Sequence, residues 1–200
     1  MNYLYMRYIK RILDILFAII GLVILAPFFL IIAIIIKLDS KGPAIYVHNR
    51  VGKNKKIFRL YKFRTMFVDR IPFSAKQKKE FEQNFKLNKD PRITPIGRFL
   101  RETSIDELPQ LLNVLLGDLS IVGPRPITEK ELEKYGANWT KFVSVTPGLT
   151  GYWVVNGRSN TSYEKRVELE LYYIDNISFK LDLLIFFKTF KCVLKKDGAF

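Results

Sequence analysis

Residues 15–36 form an unbroken run of 22 positions without a charge, and few folds can accommodate such a run. At about 1.5 Å per helical residue it is long enough to cross a hydrocarbon core of about 30 Å. A membrane location follows. The run is too long for the core of a signal peptide, and Ile34, Ile35, Ile36 and Lys37 offer no small-residue cleavage site. Both flanks are basic, with Arg7, Lys10 and Arg11 before the run and Lys37, Lys41, Arg50, Lys53, Lys55 and Lys56 after it. Basic flanks favour the cytoplasm. Pro27, near the middle, removes a backbone hydrogen bond and can bend a helix sharply. Two topologies fit: a hairpin that enters and returns, or a single span whose freed carbonyl is satisfied by neighbouring groups.

The remaining composition narrows the partners. Lysine and arginine number 33 against 19 acidic residues, a net charge of +14, which suits phosphates, nucleic acid or acidic lipid headgroups without choosing among them. A single cysteine, Cys192, excludes an internal disulfide and a thiolate metal cluster. The lone histidine, His48, argues against a zinc site or a histidine-based triad and reads as a strand or loop residue. At 200 residues the chain has room for one domain, or for a small domain plus a membrane element.

Residues 44–49 and 57–64 read as two strands joined by Val51-Gly52-Lys53-Asn54, a hairpin. Its second strand sets Arg59, Lys62 and Arg64 among aromatics, either as a solvated face or as one that meets phosphate. Ser74-Ala75-Lys76-Gln77 opens a polar helix over 74–85 as a capping box. Thr94 caps a short helix with Pro95 in its first turn, placing Arg98 and Arg101 on one face. The next helix is expected to begin near Ser104 and end before Gly117, with Leu108, Leu111, Leu112 and Leu115 as its apolar stripe. Towards the C-terminus Phe179, Leu183, Phe186, Phe190 and Val193 recur at helical spacing, with Lys180, Lys188, Lys191 and Lys195 largely off that stripe. Such a helix either lies in the headgroup region or closes the core of a soluble domain; the apolar N-terminus favours the first.

Chemistry concentrates around Asp106-Glu107, two carboxylates at an expected helix start with arginines on either hand. A helix N-terminus keeps a carboxylate ionised and can also hold a phosphate, and an ionised aspartate can attack phosphorus or anchor a divalent cation. The bland alternative is that Ser104-Ile105-Asp106-Glu107 is simply a capping box. Arg125 stands between Pro124 and Pro126, whose rings fix the backbone beneath a ligand-facing guanidinium or merely make a rigid turn. Val155-Asn156-Gly157-Arg158 reads as a tight turn.

Taken together, Leu38-Asp39-Ser40-Lys41-Gly42-Pro43, Arg50-Val51-Gly52, Tyr61-Lys62-Phe63-Arg64-Thr65-Met66, the Asp106-Glu107 segment, Gly117-Asp118, Gly123-Pro124-Arg125-Pro126, Pro147-Gly148-Leu149-Thr150-Gly151 and Val155-Asn156-Gly157-Arg158 resemble the bacterial sugar transferase family, the small monotopic phosphoglycosyl transferases. The resemblance implies an α/β (α+β) chain in two parts: a re-entrant, membrane-embedded helix-break-helix over 1–40, and a small catalytic domain over 41–200 with a short β-hairpin and interfacial amphipathic helices. It implies a location at the cytoplasmic face of the bacterial inner membrane. The implied reaction uses magnesium (Mg2+) and moves a phosphosugar from a UDP-sugar to undecaprenyl (polyprenyl) phosphate, with release of UMP, to start glycan assembly. Asp106 is then the nucleophile and approaches the metal, Glu107 is its dyad partner, Arg101 faces phosphate, Arg125 contacts the nucleotide, and Lys62 and Arg64 are further substrate contacts. Membrane lipid is an implied partner; nucleic acid is not. The rival class is a membrane-anchored module that binds nucleic acid or acidic lipid; it explains the charge but leaves the Asp-Glu pair and the Pro-Arg-Pro turn idle. The sequence departs from the family pattern at Ala26-Pro27, where Ser-Pro is common, at Tyr152-Trp153-Val154-Val155, and at Glu170, where an aspartate is common.

Overall fold

The computed structural model describes residues 5–69, 72–75, 77–79, 87 and 90–195. The chain is mixed helix and strand, as expected. Helix α1, Lys10–Asp39, takes in the whole apolar run, with Pro27 inside it and no separate second helix beyond. A prolyl ring there frees the carbonyl four residues earlier but does not end the helix.

The packing of α1 is what bears on topology. Asp14, Ala18 and Ile36 are buried, Leu22 and Leu25 pack on the main core, and Phe29 and Ile32 pack with Ile36, Phe63 and Leu100 in a smaller cluster. These positions follow helical spacing, so one stripe touches the rest of the chain from end to end. The other faces, with Leu16, Val23, Ile24, Phe28, Leu30, Ile31 and Ile34, are exposed. Both ends are tied down by polar contacts. At the start, Arg11 donates to the carbonyls of Val114 and Leu115 at 2.6 and 2.9 Å, and Asp14 accepts from the Ile121 N–H at 2.8 Å. At the far end Arg64 donates to carbonyls of Ile36, Ser40, Lys41 and Pro43 and to the Ser40 hydroxyl, so that all five of its N–H groups are engaged.

The expected hairpin is present as β1, Ile45–Val51, and β2, Ile57–Phe63, antiparallel with His48 opposite Leu60 and Tyr46 opposite Lys62. Helix α2, Pro95–Glu102, starts on Thr94, whose hydroxyl accepts from the Gly97 N–H at 2.9 Å. A Cβ on Gly97 would stand 2.1 Å from the Thr65 carbonyl oxygen, which explains a glycine inside the first turn: only its bare backbone lets α2 sit on the end of the hairpin. Helix α3, Gln110–Leu116, follows, joined to β2 by the fully buried Asn113, which donates to the Arg59 carbonyl and accepts from the Tyr61 N–H. Strands β3, Ser120–Val122, and β4, Gly148–Thr150, pair in parallel. Helices α4, Tyr163–Asp175, and α5, Phe179–Lys195, complete the fold.

Two expectations change. The helix foreseen from Ser104 begins only at Gln110, with Pro109 before it. Ser104 is left-handed at φ 57° and makes no side-chain cap, and Ile105–Glu107 is a single 3₁₀ turn. The stripe of α3 is Leu111 and Val114, with Leu112 exposed. On α5 the buried residues are Asp182 and Ile185, while Phe179, Leu183 and Phe190 face outward, in keeping with a helix whose apolar stripe does not close the core. The helix expected over 74–85 lies largely outside the described residues, although Ser74 and Gln77 do exchange the reciprocal bonds of a capping box.

Candidate active site

The 3₁₀ turn sets Asp106 and Glu107 against β2. Asp106 is buried at 7% exposure, and its carboxylate is within no hydrogen bond among the described residues. Glu107 is held: Lys62 Nζ lies 2.6 Å from its Oε1, and Arg125 Nη1 lies 3.9 Å from the same oxygen. The two neighbours are thus pushed apart electrostatically. Burial raises Asp106, to about 6, against the pull of Lys62, while Glu107 adds to the rise and Arg101 opposes it. Burial also acts upward on Glu107, but Lys62 and Arg125 outweigh it and hold that carboxyl low, at about 2. Glu107 stays an anion paired to lysine, and Asp106 is the weaker acid of the two.

Arg125 owes its place to a loop fixed on three sides. The Gly123 N–H donates to the Thr150 carbonyl and the Gly148 N–H to the Pro124 carbonyl, both at 2.8 Å, joining the loop to β4. The Val51 N–H donates to the Ile127 carbonyl at 2.8 Å, joining it to β1. Underneath, Glu170 accepts from the Arg125 N–H at 3.2 Å, from the Tyr135 hydroxyl, and from Arg166 at 3.4 Å. Trp153 has Arg125 5.5 Å and Arg166 4.9 Å from its ring centre. The longer carboxylate at position 170 is therefore a post beneath the loop.

Arg101 donates from Nε to the Thr65 hydroxyl at 2.9 Å and borders the same groove as Asp106; burial lowers its pKa, with Asp106 acting the other way. Lys62, a bare candidate in the sequence, stands at the centre of the site. Arg64 does not join it as a ligand: with five N–H groups engaged by the end of α1 and 4% exposure, it reads as a helix-terminal cap. Arg158 was legible only as part of a turn, yet it reaches from φ 45° to donate to Ser104 at 2.9 Å and contributes to holding Glu107 ionised. Arg50, Trp153 and Arg166 also stand at or behind the site; in the sequence Arg50 belongs only to the Arg50-Val51-Gly52 match and Trp153 only to a loop that departs from the family pattern, and Arg166 carries no local signal. His48 lies on β1 at the margin of the groove.

The groove joins two chemistries. Its polar part is bordered by Lys62, Arg101, Asp106, Glu107, Arg125 and Arg158, and its apolar part by Phe17, Ile20 and Ile24 of α1 with Phe186 and Phe190 of α5. Six cations, Arg50, Lys62, Arg101, Arg125, Arg158 and Arg166, meet four carboxylates, Asp106, Glu107, Glu131 and Glu170, in and behind the site. The excess is positive and suits a dianionic diphosphate. No cluster of three or more His, Cys, Asp or Glu side chains gathers among the described residues, but magnesium commonly needs one or two carboxylates and takes its other ligands from phosphate and water. An Asp106 carboxylate without a hydrogen-bond partner, facing the groove, fits that need.

Comparison with known proteins gives concordant results. The sequence matches the family described as bacterial sugar transferase over residues 5–196. It is 44% identical to the undecaprenyl-phosphate galactose phosphotransferase of Salmonella typhimurium, over 97% of this chain and 42% of that protein. It is 46% identical to the galactosyl transferase CpsE of Streptococcus agalactiae, over 95% and 43%. The exopolysaccharide production protein ExoY of Sinorhizobium fredii is 41% identical, with 96% of this chain and 88% of that one aligned. The chain thus spans less than half the length of the first two relatives and most of the third.

Proposed function

This chain belongs to the bacterial sugar transferase family, and on that premise we propose that it transfers a phosphosugar from a UDP-sugar to undecaprenyl phosphate, the first step of a glycan assembly, at the cytoplasmic face of the inner membrane. The observation that carries the reading is the buried Asp106 beside a lysine-held Glu107, in a groove that runs from a cluster of cations to the apolar faces of α1 and α5. A nucleic-acid or lipid-binding module would have no use for a buried carboxylate pair of split acidity.

In the first half-reaction an Asp106 carboxylate oxygen attacks the sugar-linked phosphorus. The bond from that phosphorus to the bridging oxygen breaks, and UMP leaves with the electron pair. In the second, a phosphate oxygen of the lipid attacks the same phosphorus and Asp106 departs as a carboxylate. Arg101 and Arg125 neutralise the diphosphate, Lys62 keeps Glu107 ionised, and the Glu170 post holds the Arg125 loop in place. Magnesium, held by Asp106 and the diphosphate, would supply further neutralisation of phosphate charge. A covalent intermediate lets a soluble donor and a bilayer-bound acceptor use one site in turn. UMP release from a panel of UDP-sugars with undecaprenyl phosphate present, UDP-galactose first because of the relatives' names, tests the function; a panel without any release would refute it.

The acidity of the pair predicts a pH profile. The nucleophile must be ionised, so kcat/KM for the donor in the UMP-releasing step should be level above about pH 7 and fall about tenfold per unit below about pH 6. A limb centred near pH 4 would show that Lys62 and Arg101 overcome burial at Asp106.

For topology, residues 1–40 form the membrane-embedded part and 41–200 the catalytic domain, with both flanks of α1 in the cytoplasm. The support is that Arg11 and Asp14 at one end and Ile36 and Ser40 at the other all bond to one folded body. Cysteines at Tyr3 and Lys53, in a Cys192→Ser background, should both be shielded from an impermeant thiol reagent in intact cells and labelled after lysis. Labelling of the Tyr3 site alone in intact cells would establish a true span.

A further inference from the structure

Helix α5 divides into three sectors. Asp182, Ile185 and the half-buried Thr189 face the protein, where Asp182 accepts from Tyr5, Lys10 and Tyr173 and Thr189 meets Thr150 at 2.8 Å. Phe179, Leu183, Phe187, Phe190 and Leu194 form a second sector; Phe187 is 63% and Leu194 83% exposed. Lys180, Lys188, Lys191 and Lys195, all exposed, form the third, beside the apolar one. Phe186 joins the apolar sector to α1: its ring centre lies 5.7 Å from that of Phe187 and 5.1 Å from that of Phe190, and 5.3 Å from that of Phe17 on α1.

A row of exposed aromatics would be poorly placed in water, and a row of four lysines would be poorly placed against neutral hydrocarbon. Side by side on one helix, they fit a boundary in which the rings enter the acyl region while the lysine stems reach back to negative headgroups. The neighbouring α1 fixes which way that boundary lies. We infer that α5 is an anionic-lipid recognition surface: its lysine row gathers acidic phospholipid headgroups around the apolar mouth of the groove, against a background of neutral lipid. The inference rests on the membrane placement proposed above and adds to it a selectivity among lipids. It also has a consequence for the site, because Phe186 and Phe190 border the groove that holds Asp106. Lipids gathered by α5 stand where a lipid-linked acceptor must enter.

The test uses the full chain reconstituted in bilayers of phosphatidylcholine and phosphatidylglycerol at equal mole fraction, with brominated chains on one lipid or the other. Phe187→Trp provides a fluorophore in the apolar sector, and the signal of the parent, from Trp139 and Trp153, is subtracted. Brominated phosphatidylglycerol should quench the residue-187 signal at least about twofold more than brominated phosphatidylcholine, and high salt should diminish the difference. Adding Lys180→Gln, Lys188→Gln, Lys191→Gln and Lys195→Gln should abolish the preference. Lys53→Gln, Lys56→Gln, Lys130→Gln and Lys134→Gln, which remove equal charge elsewhere, should preserve it. Equal quenching by the two lipids would overturn the inference and leave the membrane placement standing; a preference that survives the α5 substitutions would assign it to other residues. Absence of quenching by either lipid would overturn both, leaving the face to a second copy of the chain.

Discussion

Asp106→Asn is expected to abolish UMP release, with a loss of at least about 10⁴-fold. With donor and magnesium but no lipid acceptor, the parent should release UMP in an amount limited by enzyme and retain a phosphosugar on the peptide containing Asp106. The asparagine variant should show neither signal, because an amide of the same shape lacks the anionic oxygen that must bond to phosphorus. Its stability should fall little or even rise, since the position buries a carboxylate without a hydrogen bond and the substitution removes that burden. Glu107→Gln makes the matched comparison. It removes the negative charge that pairs with Lys62 at 2.6 Å and should lower the rate while leaving the adduct on Asp106. An adduct mapped to Glu107, or normal turnover by Asp106→Asn, would refute the assignment of the nucleophile while leaving family membership intact.

Glu170→Ala is expected to cost about 3–5 kcal/mol of stability, because it strands Arg166 without one of its carboxylate partners in a buried setting. Glu170 is 1% exposed and Arg166 is 7% exposed. Glu131 remains near Arg166, at 3.5 Å, but it is also bonded to Thr128 and Arg50 and cannot replace the lost contact. The Arg125 N–H and the Tyr135 hydroxyl lose their acceptor as well. Chemical unfolding in detergent measures the cost. Glu170→Asp tests reach separately: the shorter side chain keeps the charge but cannot span all three partners at once, so it should lose less stability than alanine and raise the KM for the nucleotide sugar. An alanine variant as stable as the parent would mean that Arg166 is solvated in solution.

The apolar run, the hairpin and the Thr94-Pro95 helix start were legible in the sequence because each depends on neighbours within a few residues. Uncharged length, alternation with a turn, and a capping hydroxyl act locally. The Asp-Glu pair and the Pro-Arg-Pro turn stood out in the sequence as candidates, and the structure places Asp106, Glu107 and Arg125 at one groove. The same local logic failed where distant chain segments intervene. Ser104-Ile105-Asp106-Glu107 and Thr128-Glu129-Lys130-Glu131 have the same capping pattern, yet only the second forms the box. At the first, Ser104 is left-handed and bonded to Arg158, 54 positions away, while Glu107 turns to Lys62 instead of to its own backbone.

The sequence by itself determined an apolar run long enough to cross a membrane, a phosphate-suited excess of positive charge and two adjacent carboxylates among arginines; these properties follow from composition and short-range spacing. Tertiary structure alone decided which carboxylate is free and which is held, that Arg64 caps α1 while Lys62 serves the site, and that the aromatics of α5 face outward. Each of those outcomes turns on partners brought together from β2, the Arg125 loop and both ends of α1, and the energy of a buried charge depends on which groups surround it in space, whatever its neighbours along the chain.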